Sequence, residues 1–136
     1  MAMIRYVRRL PSGILLEVSD GGNEERDEPL ARWFSRLAQR NLSTWEGRIL
    51  AVKRQFGLKS RVPLFLSEDC LLLPIRAWRS PEAFYVNYHA IRSWEKDERG
   101  NAVVVFSDGN RLPAGSAEAF RRRMAEARAI EEFRVG

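Results

Sequence analysis

The spacing of apolar residues changes once along this chain, and that switch limits the fold more than any other feature. Leu30, Trp33, Phe34, Leu37 and Ala38 recur at i, i+3, i+4, i+7 and i+8, the stripe of an amphipathic helix, with Arg32, Arg36, Gln39 and Arg40 on the other faces. Beyond Arg61 the apolar residues alternate or come in short runs, at 62–66, 70–75 and 102–106, each the length of a strand. The expected fold is α+β: an antiparallel β-sheet with two helices in the N-terminal half and one C-terminal helix, all packed against one side of it.

Local signals fill in this outline. Ile4, Tyr6 and Leu10, then residues 14–18 after a Pro11-Ser12-Gly13 turn, predict two strands. The acidic stretch 20–28 has no apolar anchor and reads as a solvent loop, and Pro29 suits a first helical position. Ser43-Thr44-Trp45-Glu46 has capping-box spacing ahead of Trp45, Ile49, Val52 and Phe56, and Gly57 stands where a left-handed cap would end a second helix. Gly47 weakens that helix by about 1 kcal/mol, so a strand beginning near Arg48 competes with it. Residues 62–66 and 70–75 predict a hairpin, with Pro63 and Pro74 at strand edges or ends. Residues 77–82 form a loop, 84–88 and 91–96 are extended, and Asp108-Gly109 marks a hairpin turn after the strand at 102–106. Ser116 caps a last helix with Phe120, Met124, Ala127 and Ile130 on one face.

With 45% apolar residues in 136, the chain can bury one core, and residues 1–136 are expected to form a single domain. Its apolar runs fall far short of the roughly 18 residues of a membrane span. Met1-Ala2-Met3-Ile4 runs straight into Arg5 without a secretory signal, so a cytoplasmic protein with no membrane partner is expected. Cys70 is the single cysteine and His89 the single histidine, which excludes an intrachain disulfide and leaves little for a metal site. No cofactor is expected.

Twenty of the 23 cations are arginine, a bias that a GC-rich genome also produces, so distribution says more than the total. Residues 1–29 net −2 and residues 67–136 net zero, while residues 30–66 set eight cations against Glu46 alone. More than the whole excess of +5 lies in that block, the pattern of a surface that binds a polyanion.

Enzyme chemistry finds few supports. Cys70 and His89 could form a nucleophilic dyad, but both fall in apolar strand patterns with no third group to orient them, so a structural role is expected. Asp20-Gly21-Gly22 lacks the later glycine and lysine of a phosphate loop. Trp33 and Trp45 lie on helical stripes and belong to the core; Trp78, between Arg76 and Arg79, either stacks on a ligand or plugs the core edge. Arg121-Arg122-Arg123 point about 100° apart on a helix, with Glu118 and Glu126 in pairing reach of Arg122, and read as a solvated face.

The succession Trp45-Glu46-Gly47-Arg48, Arg61-Val62-Pro63-Leu64-Phe65-Leu66, Leu71-Leu72-Leu73-Pro74, Ile91-Arg92-Ser93-Trp94, Val103-Val104-Val105-Phe106-Ser107-Asp108-Gly109 and Ser116 to Phe120 resembles the competence transcription factor (ComK) family over residues 30–130. The family commonly carries an aromatic-Pro-Thr where this chain has Leu73-Pro74-Ile75, and turnover by a proteolytic adaptor is not carried over. Phe84-Tyr85-Val86-Asn87, Ile91 and Val104 to Pro113 are also similar to the LytTR DNA-binding domain, a family with strands where residues 30–57 look helical.

The competence-factor resemblance implies a transcription regulator that binds A/T-rich double-stranded DNA through the minor groove, as paired protomers, in the cytoplasm. Arg48, Lys53, Arg54, Lys59 and Arg61 would then neutralise phosphates or enter the groove, with Arg40, Arg76 and Arg79 behind them. The competing reading is a basic module that docks on an acidic protein and shows no base preference.

Overall fold

The structure, a computed structural model, describes residues 2–136. Strands β1 (Ile4–Arg9), β2 (Leu15–Ser19) and β3 (Gly22–Arg26) open the chain as a meander. The acidic stretch is therefore not a loop: β3 pairs with β2 from Leu15↔Arg26 to Ser19↔Gly22. A backbone ladder asks for no apolar side chain, and β3 lies at the sheet edge, where charged residues guard against further pairing. Arg26 holds the register, bonding Glu17 at 3.2 Å and Glu24 at 2.8 Å.

Both expected helices form, as α1 (Leu30–Gln39) and α2 (Trp45–Phe56), and the strand near Arg48 does not. Pro29 stands one position ahead of the first helical residue. The cap of α2 is Thr44 rather than Ser43: its hydroxyl accepts from the Gly47 amide at 3.1 Å, and Ser43 Oγ instead accepts from Arg48 Nε at 2.9 Å. This explains Gly47, because a Cβ there would sit 2.8 Å from Thr44 Oγ1. Gly57, at φ +68°, ends the helix in the left-handed region.

The remaining elements are β4 (Leu64–Ser67), β5 (Cys70–Arg76), β6 (Phe84–Asn87), β7 (Ser93–Lys96), β8 (Asn101–Val105), β9 (Arg111–Ser116) and α3 (Ala117–Val135). They divide between two antiparallel sheets where one was expected: six strands in the order β3-β2-β1-β6-β5-β4, and three in the order β7-β8-β9. Pro74 lies inside β5 but beyond the last β4 partner, Leu72, so its missing N–H faces no neighbour there. The break between sheets falls at a 3-10 turn, Tyr88–Ala90, so His89 sits in a turn and not in a strand. Asn87 makes that break. Its buried side chain accepts from Leu71 N and His89 N, and donates to Ile4 O at 2.7 Å and Asp69 O at 2.8 Å.

Alternation along the large sheet buries both of its faces. Val7, Leu15, Leu64, Leu66, Leu72 and Tyr85 pack with Trp33, Phe34 and Trp45 of the first two helices. Leu71, Leu73, Phe84 and Val86 turn the other way, onto Val104, Phe106 and Leu112 of the small sheet and Phe120 and Ile130 of α3. Helices therefore cover both sides rather than one. Period-two strands announce two faces, but not which element each will meet.

Candidate functional site

Charges spent within the fold separate from charges left open. Arg36 Nη1 and Nη2 bond Glu28 at 2.8 and 2.7 Å, which raises the guanidinium pKa and holds the carboxyl below its ordinary value. Arg5, buried in β1, meets Asp20 at 2.7 Å and Asp108 at 3.0 Å, and lies over the Phe106 ring. Arg134 bonds Glu68 and Glu131 and lies 4.2 Å from the Phe65 centroid. In the arginine triplet it is Arg123, not Arg122, that takes Glu126, at 2.8 Å, and Arg121 lies over Trp94. Of the eight cations of the basic block, Arg36 is thus neutralised at once.

The others scatter. Arg48 is half-buried, tied to Ser43 and lying over the same Phe65 ring as Arg134, at 4.8 Å. Arg40 lines a separate pocket beside Asn41 and Asp69. Arg54 and Lys59 are exposed at and just beyond the end of α2. Lys53 and Arg61 come together in a cleft of about 120 Å³ with Trp78. Arg61 also lines a second cleft of about 250 Å³, shared with Arg76 and Arg123. Arg76 in turn lines a trough of about 630 Å³ with Arg8 and Arg9 of β1. Shared residues make these three cavities neighbours: the Lys53 cleft opens on the α1–α2 side of the large sheet, the other two on the side of the small sheet, and Arg61 stands where they meet.

None of Lys53, Arg61, Arg76, Arg8 or Arg9 forms an ion pair among the described residues. Arg61 is held at φ +49°, a left-handed conformation costly for a residue with a Cβ and common where a site dictates the backbone. Arg79 lies over Trp78 at 4.8 Å, and Trp78 packs edge to face on Trp45, so that tryptophan closes the core edge. Charge counting misses Arg8 and Arg9 because the acids around them in sequence cancel them on paper. Their pairing with neighbouring strands is a tertiary fact.

Cys70 and His89 make no hydrogen bond to each other among the described residues. Burial pushes the Cys70 thiol up to about 12, and His89 Nε2 sits 3.0 Å from Glu131 Oε1, tying the 3-10 turn to α3. No group of three His, Cys, Asp or Glu side chains able to hold a metal occurs among the described residues. No helix is long and apolar enough to cross a membrane.

An α+β chain with two antiparallel sheets, helices on both faces and a line of unpaired cations is the class that these observations define. Residues 34–133 match the family described as ComK protein, and the chain belongs to that family. The match begins inside α1 and leaves β1 to β3 outside it. No protein of curated function shows significant sequence similarity to the chain. Among solved structures, the LytTr DNA-binding domain of a protein described as a methyl-accepting/DNA response regulator from Bacillus cereus is similar, with 14% identity, a TM-score of 0.51, and 90% of this chain and 81% of that chain covered. At that identity the likeness is one of fold. It reaches well beyond residues 84–113, where the sequence likeness to such domains lies, and it holds with both N-terminal helices formed.

Proposed function

We propose that this chain is a single-domain, DNA-binding transcription regulator of the competence-factor type, acting in the cytoplasm as paired protomers on A/T-rich duplex. The observation that carries the reading is the set Lys53, Arg61 and Arg76, three unpaired cations joined by shared clefts in a member of the ComK family. Narrow A/T-rich minor grooves concentrate negative potential and favour an inserted arginine. Arg61, exposed, suits insertion better than Arg48, which is half-buried on the Phe65 ring it shares with Arg134. Arg54 and Lys59 extend the phosphate-contacting surface, and Arg79 flanks it from Trp78. Arg40, beside Asp69, contributes least.

Contacts to four or five phosphates give a log–log salt slope of about −4. Fluorescence anisotropy on A/T-rich and G/C-rich duplexes across a salt series tests the reading. A steep slope with A/T preference supports it. Absence of binding at low salt rejects it, and steep binding without base preference removes the minor-groove mode.

A further inference from the structure

We propose that the seam between the two sheets is a second wall for the same duplex, in which Arg8 and Arg9 of β1 contact its phosphates. The inference rests on the DNA-binding reading above and lengthens its footprint. β1 precedes the matched residues 34–133, so family membership assigns these two arginines nothing.

Both arginines line the trough of about 630 Å³, and Glu82 is the one acid that lines it with them. Arg76 continues that trough into the cleft of Arg61. Among the acids of β2 and β3, Glu17 and Glu24 are taken by Arg26, while Glu25, across Leu16 from Arg8 at the sheet edge, is exposed and does not line the trough. Arg8 lies 4.5 Å from the Phe84 centroid, and Arg9 Nη1 donates to Gly13 O at 2.7 Å. Each is held in place while most of its five donors stay open to an anion.

The floor is suited to a polymer. Tyr6 and Phe84 meet edge to face on the floor, with Arg8 over Phe84 and Arg9 and Arg76 also lining the trough, so cations border apolar ground. A single phosphate would leave most of such a trough empty, whereas a phosphodiester backbone presents spaced charges with sugars between them. Gly115 of β9 stands where the trough meets the cleft, at φ +75°, and a Cβ there would lie 3.4 Å from Ile75 Cγ2. The positive φ is what favours glycine at that point.

The test uses the full chain. Arg8→Met with Arg9→Met keeps the aliphatic stems and removes two charges. The salt slope on A/T-rich duplex should fall by about 2, and Kd at 0.1 M salt should rise about 60-fold. Arg8→Lys with Arg9→Lys should restore most of the slope. An unchanged slope in the methionine variant, while Lys53→Met still lowers it, overturns this inference and leaves the DNA-binding reading standing. Parent protein that binds no duplex overturns both. Should the methionine variant fail to fold by circular dichroism, Glu82→Cys carrying an azidophenacyl photo-crosslinker decides. Glu82 is exposed on the trough and Cys70 is buried away from the reagent. A crosslink to bound duplex supports the second wall, and a complex that gives none overturns it.

Discussion

Arg134 and Arg61 are the same residue type in opposite circumstances. Arg134 lies on an aromatic ring between two carboxylates and joins the end of α3 to the β4–β5 turn. Arg61, just ahead of β4, has no acid partner among the described residues and occupies a backbone conformation that an arginine does not choose by itself. Arg5 and Arg36 belong with Arg134, while Lys53 and Arg76 belong with Arg61. Arginines of the first group are internal ties whose charge is consumed. Those of the second carry a field that no part of the protein answers. The comparison teaches that net charge by segment is a poor guide to where a polyanion will bind. What matters is the charge left after the fold has made its own pairs.

The largest expected effect breaks the open group. Lys53→Met together with Arg61→Gly should weaken binding to A/T-rich duplex about 60-fold at 0.1 M salt and flatten the salt slope by about 2, read by anisotropy. Unchanged binding would reduce these cations to a solvated surface. Breaking the consumed group should act on stability instead. Arg5→Met strands Asp20 and Asp108 beside an apolar stem, and because both carboxylates are close to half exposed the loss should be about 2 kcal/mol rather than the full cost of a buried pair. Urea denaturation measures it, and DNA affinity of the folded variant should match the parent.

Acid sharpens the same contrast. The Glu28 carboxyl is depressed, chiefly by its bonds to Arg36, so its stabilisation is present above the ordinary carboxylate range and is lost as pH falls through the lowered value. Glu28→Gln should cost about 1 kcal/mol at pH 7 and progressively less toward pH 3, where the parent has lost the same interaction. A constant difference between the two urea midpoints across that range would show that Glu28 acts by packing alone. The smallest effect is the most discriminating. Arg61→Gly alone should leave stability unchanged or raise it by about 0.5 kcal/mol, since glycine accepts the left-handed backbone, while still weakening DNA binding. A large loss of stability would place Arg61 among the ties.

Much of the architecture is legible in the residues. The stripe from Leu30 to Ala38, the glycine cap at Gly57 and the turn at Asp108-Gly109 each name their own local structure, because the forces that set them act within a few residues. β3 is invisible for the opposite reason. Gly22-Asn23-Glu24-Glu25-Arg26 forms a strand only because β2 offers it a ladder. Two sheets instead of one are likewise hidden, since a run such as Ala102 to Val105 declares a strand but not its partner, and Asn87 ends β6 through bonds to residues as distant as Ile4. The candidate site divides in the same way. Lys53, Arg61 and Arg76 are visible as cations, Arg48 looks equally good until it is found half-buried on the ring that Arg134 also covers, and Arg8 and Arg9 vanish into an acidic segment average.

The place of β1 in the large sheet bears on how the chain is made. Its two neighbours are β2, which follows directly, and β6, whose partner residues Phe84, Tyr85 and Val86 come some eighty positions later. A chain leaving the ribosome therefore shows one bare edge of β1 until more than half of its length has emerged, and docking that edge closes a long loop late. Naked edges recruit strands from other molecules, and the usual safeguard is positive charge. Arg8 and Arg9, neither of them in an ion pair among the described residues, lie along this one, so repulsion between like edges would keep nascent copies apart until β6 arrives.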